Sequence, residues 1–432
     1  MKKVTGTYDI FGKYGEEFRQ LEDYLYDIAR LYNFQYIKTP IIENSSLYHR
    51  DKSNTTDKVN KHTYDFQDLS GKSITLRPEV NSGIVRAVTE NHLENNLPLK
   101  LYYYGDVFRY DKPQKDRYRE FTQFGFEFIG NKDPMVDAEM LSLAYDIYKR
   151  LGIYNITLKL NSLGSLDDIN RYRLKLIDYF SKYINEMCDD CKNRLLNNPM
   201  RILSCKKEHD HQIIQNAPKL LEYISKESKE RFENVIKLLQ ERNIPFVVDN
   251  DFVRGIDYQN DTIFEIVNND GCLGNQNGLC GGGRYDNLYR HLANKNIPAF
   301  GFDFGLERMI TSLKFQNPAY FNENSIDIYF VCFSQEDISY CYKICDILRK
   351  NGIRVEYDLN NHSYKTQLKQ ADKFKPKFTG FIGEEERNFG KINVRNNTDG
   401  SKYRLDVEEI ISIITNCMGE KERVKVKKYG SK

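Results

Sequence analysis

Two aromatic-rich runs, 101–110 and 120–129, flank a polar stretch, Asp111–Arg119, and no other feature restricts the fold so sharply. Aromatic residues favour strands, and a polar segment between two strands makes a loop, so the pattern predicts a long antiparallel hairpin. Side chains alternate along a strand. Phe124, Phe126 and Phe128 therefore share one face, and Gln123, Gly125 and Glu127 share the other. The first face is a core. The second carries an amide and a carboxylate with a glycine between them that leaves room.

The remaining pattern fits around this hairpin. Phe18, Leu21, Leu25, Ile28 and Leu31 recur at helical spacing and predict an amphipathic helix over 13–34. Short strands are expected at 36–43, broken at Pro40, and at 74–79, followed by a helix through Val85 and Val88. Helix is expected at 135–151, strand at 156–160, a mostly helical insertion over about 165–245, and strands at 245–267. A Gly- and Asn-rich loop at 269–283 precedes a helix at 285–293 and the run Phe300–Gly305. The stretch 316–325 reads as a linker. Beyond it strands and helices alternate, which predicts a small α/β domain over 326–432 with a largely parallel sheet. The chain is 432 residues long, which suits two or three domains. The organisation expected is thus a domain over 1–315 containing the insertion, the linker, and the second domain.

Composition excludes several classes. Lys and Arg number 64 against 62 Asp and Glu, so any nucleic acid must be met by local patches, not a global field. The basic tail with Lys421, Arg423, Lys425, Lys427 and Lys428 reads as a solvated end. No stretch approaches eighteen apolar residues, so no membrane span is expected, and the start lacks the apolar run of a signal peptide. Nine cysteines is an odd count without disulfide-scaffold density, which points to a reducing cytoplasm. Cys188, Cys191 and Cys205 could form part of a zinc site. The fourth ligand would have to be His209 or His211, and the spacing fits no standard finger. They are read as free structural thiols, and no metal is assigned.

Four arginines stand where apolar or aromatic residues are more usual: Arg109, Arg117, Arg254 and Arg308. Singly each reads as a solvated or ion-paired arginine. Together they suggest a polyanion site, since guanidinium forks match phosphate oxygens. No P-loop pattern is present, and Gly281-Gly282-Gly283 reads alone as a tight turn.

Phe108-Arg109, then a loop, then Arg119-Glu120-Phe121 resembles motif 2 of class II aminoacyl-tRNA synthetases. Gly301-Phe302-Asp303-Phe304-Gly305-Leu306-Glu307-Arg308 resembles motif 3, and the helix over 13–34 with Thr39-Pro40 resembles motif 1, the dimer-forming element. Leu76-Arg77-Pro78-Glu79, Arg109-Tyr110-Asp111-Lys112-Pro113-Gln114, Val253-Arg254-Gly255-Ile256-Asp257-Tyr258 and Gly282-Gly283-Arg284-Tyr285-Asp286 resemble the histidyl-tRNA synthetase family over essentially the whole chain. So do Asn161–Ser165 and the stretch from Arg194 to Leu203. The resemblance implies an α+β catalytic domain, an antiparallel sheet with helices, carrying a helical insertion and followed by a small α/β anticodon-binding domain.

It also implies an enzyme that activates L-histidine with ATP and Mg²⁺ and transfers it to the 3′ end of tRNA(His), as a cytoplasmic homodimer. Catalytic roles fall to Arg109, Arg254 and Arg308. ATP contacts fall to Arg109, Asp111, Arg117 and Arg308. Histidine contacts fall to Glu79, Asn81, Gln123, Glu127, Arg254, Tyr258, Gln259 and Tyr285. Expected tRNA contacts are Lys112, Gln114, Tyr364, Lys365, Gln367 and Lys369. The chain departs from the family pattern at several positions. Val80-Asn81 replaces Gly-Thr, Gln259 a Tyr, Asp303 a small residue, Thr122 a His, Asp111 a Glu and Lys112 an Arg. These changes leave open a paralogue with altered amino-acid or acceptor specificity. A regulatory subunit resembling that of ATP phosphoribosyltransferase is the other alternative; it typically lacks the last domain and has eroded motifs. Here residues 326–432 and Arg109, Arg254 and Arg308 are present.

Overall fold

The computed structural model describes residues 1–49, 62–112, 117–205, 207–208, 211–253, 258–274, 277–321 and 326–417. Arg254, Gln114, His209 and the basic tail lie outside the described residues. The chain divides into two units, Met1–Tyr320 and Phe321–Lys432.

The first unit is built on an eight-stranded sheet. In spatial order its strands are Gln35–Tyr36, Leu99–Phe108, Glu120–Ile129, Ala299–Gly305, Gly278–Arg284, Asn260–Asn268, Ile156–Ser162 and Val247–Val248. The inner pairings are antiparallel and the two-residue edge strands pair in parallel. The hairpin forms as expected, with Tyr104 opposite Phe124 and Tyr102 opposite Phe126. Its apolar face is an aromatic layer. Phe124 stacks on Tyr102 at 5.6 Å and on Phe304 at 5.9 Å, and Phe126 meets Phe302 at 5.3 Å. Each such pair adds about 0.5–1.5 kcal/mol beyond area burial.

Helices cover this layer. Tyr26, on the helix Gly12–Leu31, meets Phe124 edge-on, and Tyr148, on Pro134–Leu151, meets Phe304. The second helix has clear local causes. The Asp133 side chain accepts from the Met135 N–H, Pro134 begins the first turn, and Gly152 ends the helix at φ +82°.

Several expectations need correction. The helix over 13–34 stops at Leu31, where Asn33 turns to φ +58°. The strand around Pro40 is two pieces: Gln35–Tyr36 joins the large sheet, and Ile42–Asn44 joins a small antiparallel sheet with Ser73–Leu76 and Tyr64–Gln67. Among the described residues, strand in 245–267 is Val247–Val248 and all but the last residue of Asn260–Asn268. The tight turn expected at Gly281-Gly282-Gly283 is instead a central strand, because the sheet closes around missing side chains. A Cβ at Gly282 would overlap the Gly301 carbonyl oxygen.

The insertion carries helices Leu166–Ser181, Asp189–Asn197 and Lys226–Glu241. Arg231 of the last reaches buried Asp137 at 3.0 Å, and Arg284 meets the same carboxylate at 2.7 Å. This triad ties the insertion and the glycine strand to the helix Pro134–Leu151.

The second unit holds five strands in the order Val355–Tyr357, Ile328–Cys332, Phe378–Ile382, Ile392–Asn396, Lys402–Leu405. The first three are parallel, and the last two add antiparallel, so the sheet is mixed where a largely parallel one was expected. Ile328, Phe330, Ile344, Leu348, Ile392 and Ile410 belong to its own core. No described helix is long and apolar enough to cross a membrane.

Candidate active site

Residues directly opposite on neighbouring strands share a face. Gln123 pairs with Gly105 and Gly305, Gly125 with Tyr103 and Asp303, and Glu127 with Leu101 and Gly301. The face opposite the aromatic layer therefore gathers Tyr103, Gln123, Glu127 and Asp303 among glycines. Gly301 is required here, since a Cβ would overlap the Glu127 carboxylate, and Gly125 leaves the space that the Tyr103 ring fills.

Two further segments close over this face. Asn81 begins the helix Asn81–Glu90 and donates to Glu127 Oε1 at 3.0 Å. Tyr285, just before the helix Asp286–Ala293, donates to Glu127 Oε2 at 2.6 Å. Glu79 accepts from the Tyr258 hydroxyl at 2.7 Å and from Ser82 at 2.6 Å. Asp303 accepts from Gln123 Nε2 at 2.7 Å. Burial pushes Glu127 well above the usual carboxylate range, against the Tyr285 hydrogen bond, and Asp303 and Glu79 add repulsion. Three carboxylates gathered at one sheet face suit a ligand that carries donors and positive charge.

Arg109 continues the first hairpin strand by parity on this face, four residues beyond Gly105, or about 13 Å. Its Nε donates to the Pro78 carbonyl at 2.8 Å, and its guanidinium lies 5.1 Å from the Phe121 ring centroid. Arg117 pairs with Asp111 at 2.8 Å, so these two expected ATP contacts engage one another. Arg308 lies in the first turn of the helix Leu306–Gln316, whose N-cap, Gly305, pairs with Gln123. That turn also carries Glu307, buried and accepting from the Thr122 N–H at 2.7 Å and from the Tyr8 hydroxyl. Burial raises Glu307 to about 7, against these hydrogen bonds.

The expected histidine set thus separates. Glu79, Asn81, Glu127, Tyr258 and Tyr285 join in two hydrogen-bonded groups, and Gln123 joins Asp303. Gln259 is buried, and its Oε1 has no hydrogen-bond partner among the described residues. Tyr103, Ser82 and the Tyr8–Glu307 contact escaped the sequence reading. Gly125 alternating with phenylalanines was the available signal for the first, since a gap on one strand invites a large neighbour from the next.

In the second unit Lys365 and Lys369 are exposed, and Tyr364 stacks on Phe333 at 5.4 Å. Gln367 is corrected: it is buried and bonds both the N–H and the carbonyl of Cys332, at 2.9 and 2.8 Å. It fastens the helix Tyr364–Phe374 to the strand Ile328–Cys332 and is withdrawn as a tRNA contact. Lys112 is exposed.

A mostly antiparallel sheet with an acidic, glycine-lined face, a motif 2 hairpin and a motif 3 strand–helix junction defines the catalytic unit of a class II aminoacyl-tRNA synthetase. The family model for histidyl-tRNA synthetase matches residues 6–309, and the one for the anticodon binding domain matches 327–416. The chain is 40% identical over 409 residues to a histidine–tRNA ligase of Anoxybacillus flavithermus, covering 94% of this chain and 97% of that one. It is 39% identical over 411 residues to the Bacillus subtilis histidine–tRNA ligase, covering 95% and 97%. The structure of apo S. aureus histidyl-tRNA synthetase matches with a TM-score of 0.80 at 33% identity, covering 96% of this chain and 99% of that one. The chain belongs to the histidyl-tRNA synthetase family.

Proposed function

We propose that the chain is a histidine–tRNA ligase that activates L-histidine with ATP, as its magnesium complex, and charges the 3′ end of tRNA(His). The observation that carries this reading, beside family membership, is the trio Glu79, Glu127 and Asp303 gathered at one sheet face. A histidine ligand needs an acid for its α-ammonium and a polar partner for each ring nitrogen. Glu79 takes the ammonium. Glu127, held by Tyr285 and Asn81, takes one ring N–H, and the amide oxygens of Gln123 and Gln259 are available as further acceptors.

In the first step a carboxylate oxygen of histidine attacks the α-phosphorus and pyrophosphate leaves. Two anions meet, so fixed cations must lie along the path. Arg109 is assigned to the α-phosphate, Arg308 to the γ-phosphate and Arg254 to the charge developing between the reactants. Asp111 and Arg117 are assigned to the nucleotide as a pair. The ribose hydroxyl at the tRNA end then attacks the carbonyl carbon and AMP leaves. Lys112 and Gln114 are assigned to the acceptor end, and Tyr364, Lys365 and Lys369 to the anticodon. Two copies are proposed to form the working cytoplasmic enzyme.

The test is amino-acid-dependent ATP–pyrophosphate exchange across the twenty amino acids. Histidine alone should support it. Exchange with another amino acid in its place would make the chain a paralogue of altered specificity, and exchange with none would end the ligase reading.

A further inference from the structure

Three thiols converge in the core of the insertion. Cys188 is the N-cap of the helix Asp189–Asn197, and Cys191 stands three residues on, within its first turn. Cys205 arrives from a separate segment, past the short helix Pro199–Ile202. Their sulfurs all lie within 4.8 Å of one another, and those of Cys188 and Cys205 are 3.8 Å apart. Zinc–thiolate bonds of about 2.3 Å in tetrahedral array set sulfurs about 3.8 Å apart. A disulfide would need about 2.05 Å. The pocket is therefore already at the spacing of a shared metal, with a contraction of about 1 Å at its widest.

Donors and positive charge surround the cluster, while burial and the neighbouring thiols push the Cys191 thiol up. Backbone N–H groups of Lys207 and Glu208 hydrogen-bond the Cys205 sulfur. The positive end of the helix lies under Cys188 and Cys191. The Lys207 ammonium, paired with Asp190 at 2.9 Å, stands beside the cluster. A contrast within the same chain sharpens this. Cys341 and Cys345 also touch, at 3.7 Å, but they sit one helical turn apart in the apolar core of the second unit. Burial and the neighbouring thiols push Cys341 upward as they do Cys191, but Cys341 and Cys345 come from a single helix and join no group of three ligand atoms within 4.8 Å among the described residues, so those two read as packing.

We infer that Cys188, Cys191 and Cys205 form a metal site for one thiophilic divalent ion, zinc, which staples the insertion. Sequence spacing alone argued against a finger; the fold brings the three sulfurs together from two segments. Binding forms three zinc–sulfur bonds, releases the thiol protons to solvent and displaces water from the aquo ion, while water keeps the fourth position.

The full-length chain, stripped with a chelator and then incubated with Zn²⁺ and desalted, should hold about one zinc per chain by elemental mass spectrometry. Co²⁺ in its place should give the visible bands of tetrahedral thiolate coordination. Cys191→Ser should drop the stoichiometry at least ~10-fold, and Cys417→Ser, at an exposed cysteine, should leave it unchanged. If Cys191→Ser fails to fold, alkylation of the native chain after zinc loading decides. Zinc should protect these three cysteines and leave Cys417 reactive. An unloaded wild-type chain, full zinc retention by Cys191→Ser, absence of protection, or a Cys188–Cys205 disulfide in the freshly isolated chain would each overturn the site.

Discussion

Glu127 has no exposed surface and both its oxygens are spoken for, one by Asn81 and one by Tyr285. Glutamine there can accept only through one atom, so one of those donors faces an amide NH₂. A buried donor left without its acceptor costs about 1–3 kcal/mol, or roughly 5–150-fold. Glu127→Gln should raise the Michaelis constant for histidine by at least about fivefold while that for ATP stays within about twofold, read from pyrophosphate exchange. Equal losses on both substrates would remove Glu127 from the amino-acid pocket. Glu307 makes a different prediction. Its value in the fold, about 7, lies above the ordinary 4.5. Folding therefore favours the protonated form. That contribution is whole below about pH 4.5, declines as pH rises, and is lost above about 7. A shift of this size corresponds to about 3 kcal/mol. Glu307→Gln, which cannot ionise, should flatten the fall in stability between pH 5 and 8, measured by urea unfolding of the exchange-competent chain. Parallel pH profiles for both proteins would contradict the assignment. Glu127 was legible in the sequence because strand alternation put it opposite the phenylalanines. The Glu307–Tyr8 contact was not, because it joins residues about 300 positions apart and no local pattern marks either one.

At the level of elements, legibility followed the reach of the cause. The hairpin and the helix Pro134–Leu151 have local causes, alternation in one and Asp133, Pro134 and Gly152 in the other. The glycine strand Gly278–Arg284 has none: its residues are poor strand formers, and only close flanking strands keep it extended. The small sheet was half read for the same reason, with Tyr64–Gln67 missed. That sheet and the nearby edge carry exposed apolar side chains, Tyr36, Ile41, Ile42, Phe66 and Leu69. A group of such residues in one region marks an interaction surface more often than isolated ones do. They lie in and after the segment resembling motif 1. Two-fold pairing would bury the same surface on both copies. Sedimentation equilibrium at micromolar concentration should give the mass of two chains. Ile42→Asp with Phe66→Asp should shift the chain toward monomer. A single-chain mass for the unaltered protein would refute the dimer.

For the whole molecule, the near balance of charge matters most. A net charge of +2 gives no general attraction to tRNA, so affinity must come from contacts placed in more than one region. The division at 320 and 321 separates two kinds of work in the proposed reaction. Every residue assigned to histidine and ATP lies in 1–320, whereas Tyr364, Lys365 and Lys369 lie beyond it. The second unit also has its own core and sheet, so its removal takes no strand from the large sheet. A chain ending at residue 320 should therefore keep histidine-dependent exchange within a few-fold of the full chain. Its Michaelis constant for tRNA in charging should rise at least about tenfold, since two linked sites gain from an effective concentration of about millimolar. Residues 326–432 added as a separate chain at micromolar concentration should restore little, because that local concentration is gone. Loss of exchange in a folded 1–320 chain would mean that activation depends on the second unit. An unchanged constant for tRNA would mean that the anticodon contributes no affinity.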